Sequence, residues 1–209
     1  MYKQIFRWGM LLYMIIIAHV IMAQNELPPS RFRPLVISVF NNSTLLPGSG
    51  KLGFWGVPMH PGFSVGTEFR YNDNNISEWF QTAKLGYTYH RYVQHSIQLF
   101  SELGYRHHFA AFDLEGRLGI GYLHAISDAQ IFELNSEGIY ERKHTLGRPQ
   151  GMASMSIGMG YTVAACNDLR VFLAQQFYLQ TPFVNEYVPV LPSSAFHVGV
   201  AIPFFRSLK

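Results

Sequence analysis

The residues that could do chemistry are few and scattered. His124-Ala-Ile-Ser127 is followed by Asp128 and Glu133, which puts a base, a hydroxyl and two carboxylates within ten residues. Nucleophilic acyl transfer needs such a set: a serine, a histidine to take its proton, and an acid to orient the histidine. The spacing works against it. Residues three apart on an extended strand point to opposite faces, so His124 and Ser127 meet only if a turn falls between them. The same alternation separates His107 from His108, and the remaining histidines stand singly, without the ligand spacing of a zinc or calcium site. Gly119-Ile-Gly121 and Gly158-Met-Gly160 are not phosphate loops; glycines two apart share one strand face, where they make room for large neighbours. The single cysteine, Cys166, falls in a short turn and excludes both a disulfide scaffold and a four-thiolate metal site. No catalytic residue, metal or cofactor is expected.

Those residues ride on segments that repeat one pattern. In Phe63–Asn72, Phe63, Val65, Thr67, Phe69 and Tyr71 share one face, and Ser64, Gly66, Glu68, Arg70 and Asn72 share the other. Period two is the signature of a strand with unlike surroundings on its two sides. It returns in Thr82–His90, Ile97–Arg106, Phe112–Tyr122, Ser154–Thr162, Asp168–Phe177 and Phe196–Ile202, while helical periodicity appears nowhere at comparable length. Leu35–Asn41 alternates poorly and stands as an eighth strand or as a plugging segment. Strands of about ten residues separated by turns suit a membrane-spanning barrel. If Leu35–Asn41 runs outward, short turns fall at 73–79, 110–111 and 164–167. The other end then receives 42–62, 93–95, 126–150 and 180–195, long outside and short inside, as outer-membrane barrels have it. Within 126–150, Ile131–Leu134 and Ile139–Arg142 flank Asn-Ser-Glu-Gly as a hairpin.

Composition decides which face meets which solvent. Hydrophobic residues make up 48% of the 209 and charged ones only 14%, well short of the quarter or so carried by soluble chains. The apolar faces, crowded with Phe, Tyr, Leu and Met, are expected to look out at lipid, with Tyr71, Tyr89, Tyr105, Phe112, Tyr122, Tyr161, Phe177 and Phe204 toward the rims. The glycine-rich faces carry Glu68, Arg70, Lys84, Glu102, Arg106, Asp113, Glu115, Arg117 and Arg170. An eight-stranded barrel is only wide enough for side chains to fill, so these charges must pair in the lumen. A carboxylate–guanidinium network that plugs the barrel is expected. A soluble periplasmic lipocalin-like carrier would place the same alternation the other way out.

Met1 to Ala23 has the order of an export signal: Lys3 and Arg7, the apolar core Met10–Ala18, then Val20-Ile-Met-Ala23 before Gln24. Its apolar stretch is shorter than the twenty or so residues that span a bilayer as a helix. The expected division is a signal peptide, 1–23, and an outer-membrane barrel domain, 24–209. The formal charge is +3, and losing Lys3 and Arg7 with the leader leaves +1, without a basic patch for nucleic acid.

Leader, alternating strands and the closing Phe196-His-Val-Gly-Val-Ala-Ile-Pro-Phe-Phe205 together resemble the small outer-membrane β-barrel proteins of Gram-negative bacteria. The resemblance covers the mature chain and is one of pattern, with no single diagnostic motif. It implies an all-β, eight-stranded antiparallel up-and-down transmembrane β-barrel in the cell outer membrane. It also implies contact with outer-membrane lipid and lipopolysaccharide, and insertion by the barrel assembly machinery, which reads an aromatic-ended last strand. Here Arg206-Ser-Leu-Lys209 displaces that terminal aromatic. Some barrels of this size are lipid A deacylases with a His-x-Ser arrangement; this chain has His124 and Ser127 one residue further apart. The expected working surface is the outer loops, whose Phe54, Trp55, Pro58, Phe183, Tyr187 and Pro189 suit a partner protein, lipopolysaccharide or a host surface.

Overall fold

In the computed structural model the alternating segments are strands: β1 (Arg33–Thr44), β2 (Pro61–Arg70), β3 (Ser77–His90), β4 (Gln94–Phe109), β5 (Phe112–Ser127), β6 (Ile131–Leu134), β7 (Tyr140–Lys143), β8 (Arg148–Val163), β9 (Leu169–Thr181) and β10 (Leu191–Phe205). The structure describes residues 33–45, 59–72, 76–90, 94–127, 131–134, 138, 140–143, 146–166, 168–183 and 189–205. The leader 1–23, the tail 206–209 and Phe54, Trp55, Pro58, Asp128 and Tyr187 lie outside the described residues. Eight strands close in the order β1-β10-β9-β8-β5-β4-β3-β2, every pairing antiparallel, and β6 with β7 forms a separate hairpin. Leu35–Asn41 is therefore part of a wall strand, paired on one side to β10 and on the other to β2.

One rim carries the connections 71–76, 110–111 and 164–168; the other carries 45–60, 91–93, 128–147 and 182–190. We call them the turn rim and the loop rim. The strands run further than the periodicity alone suggests. β3 starts at Ser77, inside the segment read as a turn, and β4, β5, β8 and β9 each extend into segments read as loops. Cys166 is exposed in the short 3-10 turn Ala164–Cys166.

The pleat assigns the faces. β8 alternates buried and exposed from Gln150 to Tyr161 without a break. Leu118 and Ile157, on the apolar face, keep 68% and 67% of their surface; Glu102 and Arg106, on the polar face, keep none. The greasy residues look outward, and the charges are enclosed. One expectation needs correcting: the lumen is not polar throughout. Toward the loop rim Phe40, Phe100, Leu123, Ala125, Met152, Tyr178 and Ala195 form an apolar layer across the interior. Phe40 explains the poor alternation of β1, whose inward Val36 and Phe40 are as apolar as its outward Ile37 and Val39.

Inward glycines leave the space these large side chains occupy. A Cβ on Gly104 would lie 2.4 Å from the Phe80 ring, and one on Gly160 would lie 2.4 Å from Arg170 Nε. Gly104→Ala is expected to cost about 1–3 kcal/mol by overpacking, read as a lower urea midpoint of the refolded barrel. Gly116 faces outward, with nothing within 4 Å of an added Cβ; Gly116→Ala should stay within about 0.5 kcal/mol.

Candidate functional site

The lumen between the turn rim and the apolar layer is filled by ionised side chains from β2, β3, β4, β5 and β9. Arg106 is the hub. Its guanidinium donates to Glu68 at 3.0 Å, to Glu115 at 2.9 Å and to Glu78, and lies 3.7 Å from Asp113. One face of the same group covers the Phe80 ring at 4.3 Å. A planar fork with five N–H donors suits several carboxylates at once, which a lysine ammonium would not.

Arg170 donates to both oxygens of Asp113, its Nε–H at 2.7 Å, and comes within 3.1 Å of Glu115. Arg117 bridges Glu115 to Glu102, the latter at 3.5 Å. Glu102 also takes Lys84 Nζ at 2.8 Å, Ser156 Oγ at 2.7 Å and Gln176 Nε2 at 3.2 Å. Arg70 sits half-exposed at the turn rim, 3.2 Å from Glu78. The structure thus brings all nine charged residues of the polar faces to the lumen side, with Arg70 at its edge. Glu68, Glu78, Glu102, Asp113 and Glu115 face Arg70, Lys84, Arg106, Arg117 and Arg170, five charges of each sign.

Glu78 is the member that sequence reasoning missed, because 73–79 reads as a turn. A signal existed. Glu78, Phe80, Thr82 and Lys84 continue one parity upstream, and without Glu78 the network has four acids against five bases.

A neutral hydrogen-bonded chain leads from this network to the seam where β1 meets β10. Gln176 Oε1 accepts from His197 Nε2 at 3.2 Å; His197 Nδ1 and the Ser38 hydroxyl share a hydrogen bond at 3.1 Å; Ser38 and Ser64 lie 2.8 Å apart. The His197 ring is stacked on Phe40 with ring centres 4.4 Å apart.

Among the described residues the remaining candidate chemical groups are not brought together. His124 faces outward; its Nε2 bonds the Leu146 carbonyl and its Nδ1 the Tyr122 hydroxyl, each at 2.8 Å. Both ring nitrogens are taken, while Ser127 belongs to the opposite face of β5. His107 packs on Phe109, ring centres 4.5 Å apart, whereas His108 Nε2 lies 3.8 Å from Glu78. Among the described residues no group of three or more His, Cys, Asp or Glu could hold a metal ion. Phe183 donates its N–H to the Pro189 carbonyl at 3.1 Å, and Arg148 bonds the Phe183 carbonyl at 2.9 Å, closing the neck of the 182–190 loop.

No protein-family model and no curated protein matches the sequence. Among solved structures, Neisserial surface protein A superimposes with a TM-score of 0.56 at 12% identity, covering 85% of this chain and 100% of that one. The fold is that of the small eight-stranded outer-membrane barrels. The outer membrane enzyme PagL, with a TM-score of 0.46, matches at 12% identity over 81% of this chain and 99% of its own. Ail, the attachment invasion locus protein of Yersinia pestis, with 0.45, matches at 12% over 82% and 97%.

Proposed function

We propose that this chain is an integral outer-membrane protein, exported by the leader 1–23, plugged along its lumen and working through its loop rim. The observation that carries the reading is the orientation of the wall: apolar residues outside, paired charges inside. A soluble carrier of lipocalin type needs a greasy cavity and a wet exterior, the reverse of this arrangement. Aromatic pairs mark two levels on the exterior. Trp79–Tyr105 at 5.2 Å and Phe112–Tyr161 at 4.9 Å lie near the turn rim, and Phe63–Tyr87 at 5.8 Å near the loop rim. Along β5, Phe112 and Tyr122 are ten residues apart. At about 3.4 Å per residue and a tilt of about 40°, that is roughly 26 Å of height, the thickness of an outer-membrane apolar band.

The plug follows from the balance of charge. Among the described residues every guanidinium between the turn rim and the apolar layer is held by carboxylates, so an ion could pass only by prising a pair apart, and Phe40, Phe100, Leu123 and Tyr178 lie across the interior beyond it. Transport through the barrel is not the work of this fold; recognition at the loop rim is, with lipopolysaccharide or a partner protein as ligand. Acyl transfer lacks its pair, since His124 and Ser127 face apart. The test is a comparison of boiled and unboiled outer-membrane fractions on a detergent gel. The unboiled protein is expected to stay folded and migrate at a different apparent size, and to be absent from the soluble periplasm. A wholly periplasmic protein with one gel mobility would refute the placement.

A further inference from the structure

At the loop rim two imidazoles are stacked face to face. The register that sets Gly62 opposite Thr88 carries His60, just before β2, to His90 at the end of β3. The rings lie 3.5 Å apart at an interplanar angle of 14°. Both residues share the inward parity of their strands, so the pair sits on the lumen wall beyond the apolar layer. His60 also ends the β1–β2 ladder: its N–H donates to Asn41 Oδ1 at 2.8 Å, and its carbonyl accepts from Asn42 N–H at 2.9 Å.

We infer that the His60–His90 stack is a proton-operated latch: charging both rings separates the pair and unzips the last rungs between β1 and β2. Two neutral imidazoles stack without penalty, whereas two imidazolium rings at this separation repel. His60 Nδ1 is buried and accepts no hydrogen bond, so a proton placed there would gain neither water nor a partner. The neighbouring inward groups, Asn42 on β1, Thr88 on β3 and Gln94 and Ser96 on β4, carry no charge. His90 is the one titratable neighbour acting on His60 among the described residues. Burial first, and the His90 charge second, hold His60 below its ordinary value of 6.5. The sign follows. A histidine whose folded-state value is depressed stabilises the fold fully above its unfolded value, and that contribution is lost as pH falls through the folded one. The latch is closed at neutral pH and opens on acidification. Nothing in this geometry depends on the solvent around the barrel.

The test uses the full chain refolded in detergent micelles, carrying Cys166→Ser and a spin label at Met59→Cys. Between about pH 8 and about pH 4.5, spanning the histidine range, the label is expected to gain mobility reversibly while the boiled-against-unboiled gel shift persists. The double variant His60→Phe/His90→Phe keeps two flat stacked rings and removes the protons; its label should not respond. In a second variant, His90→Gln, the His60 midpoint read by NMR should move up toward the ordinary value. A label insensitive to pH in the parent chain would overturn the latch. So would the same transition in the double Phe variant, or an unmoved His60 midpoint in His90→Gln.

Discussion

Replacing Arg106 by methionine is expected to be the most damaging single change inside the barrel. Methionine keeps much of the length that packs on Phe80 and deletes the charge. Glu68, Glu78, Asp113 and Glu115, all buried, then share what remains of Arg70, Arg117 and Arg170. Removing one partner of a buried ion pair typically costs about 3–5 kcal/mol, because the other charge is left desolvated and unpaired. Four carboxylates lose a partner here, so the upper end of that range is expected. The measurement is the urea midpoint of the barrel refolded in vesicles, with loss of the unboiled gel band as a second readout. Arg106→Lys should rescue only in part, since an ammonium cannot fork among four carboxylates. Lys84→Met should cost less: Glu102 keeps Arg117, Ser156 and Gln176. Adding Glu78→Gln to Arg106→Met restores equal numbers of each sign and should recover part of the loss, a coupling of about 0.5–3 kcal/mol. Equal midpoints for Arg106→Met and Lys84→Met would show that the hub reading is wrong.

That ranking was not legible in the sequence, although its ingredients were. Alternation places Glu68, Lys84, Glu102, Arg106, Asp113, Glu115, Arg117 and Arg170 on one side of a wall, but neighbouring strands set which acid meets which base. Arg106 becomes the hub because its register partners are Glu78 on β3 and Glu115 on β5. Register depends on turn lengths, and a turn read as 73–79 rather than 71–76 hides Glu78 altogether. The hairpin inside 128–147 was readable to within one residue: its first strand is Ile131–Leu134 as expected, its second is Tyr140–Lys143 where Ile139–Arg142 was expected, and Gly138 before it lies in the left-handed region at φ 78°.

The apolar layer escaped for a different reason. Period two separates residues by face and says nothing of what a face needs at each height. Phe40, Phe100, Met152 and Tyr178 share parity with polar neighbours such as Ser38, Glu102, Ser154 and Gln176, and aromatics read as lipid-facing by type. Their interior place is written only in the glycines beside them: a Cβ on Gly62 would meet the Phe40 ring at 2.4 Å, and one on Gly121 would meet Phe100 Cβ at 2.4 Å. An inward glycine next to a large cross-strand partner marks a side chain lying over it, a signal that can be read once the register is known.

Leu118→Arg is expected to destabilise the barrel in a bilayer by about 2–4 kcal/mol, the cost of an arginine held near the middle of hydrocarbon. Leu118 lies at the centre of β5, on the outward face, 68% exposed, so nothing in the fold can pair with the new charge. The same substitution on a water-facing wall would be worth no more than about 0.5 kcal/mol either way and would raise solubility. The prediction therefore separates the two ways of turning the cylinder by sign as well as size. Met59→Arg at the loop rim, also exposed but outside the strands, provides the depth control, expected at about 0–1 kcal/mol. Both variants are compared with the parent by urea unfolding in vesicles and again in detergent micelles, where a mobile belt lets the arginine reach water and the Leu118 penalty should shrink. A Leu118→Arg midpoint equal to that of Met59→Arg in vesicles would mean that β5 does not face hydrocarbon. The paired charges around Arg106 would then have to be explained without a membrane outside them.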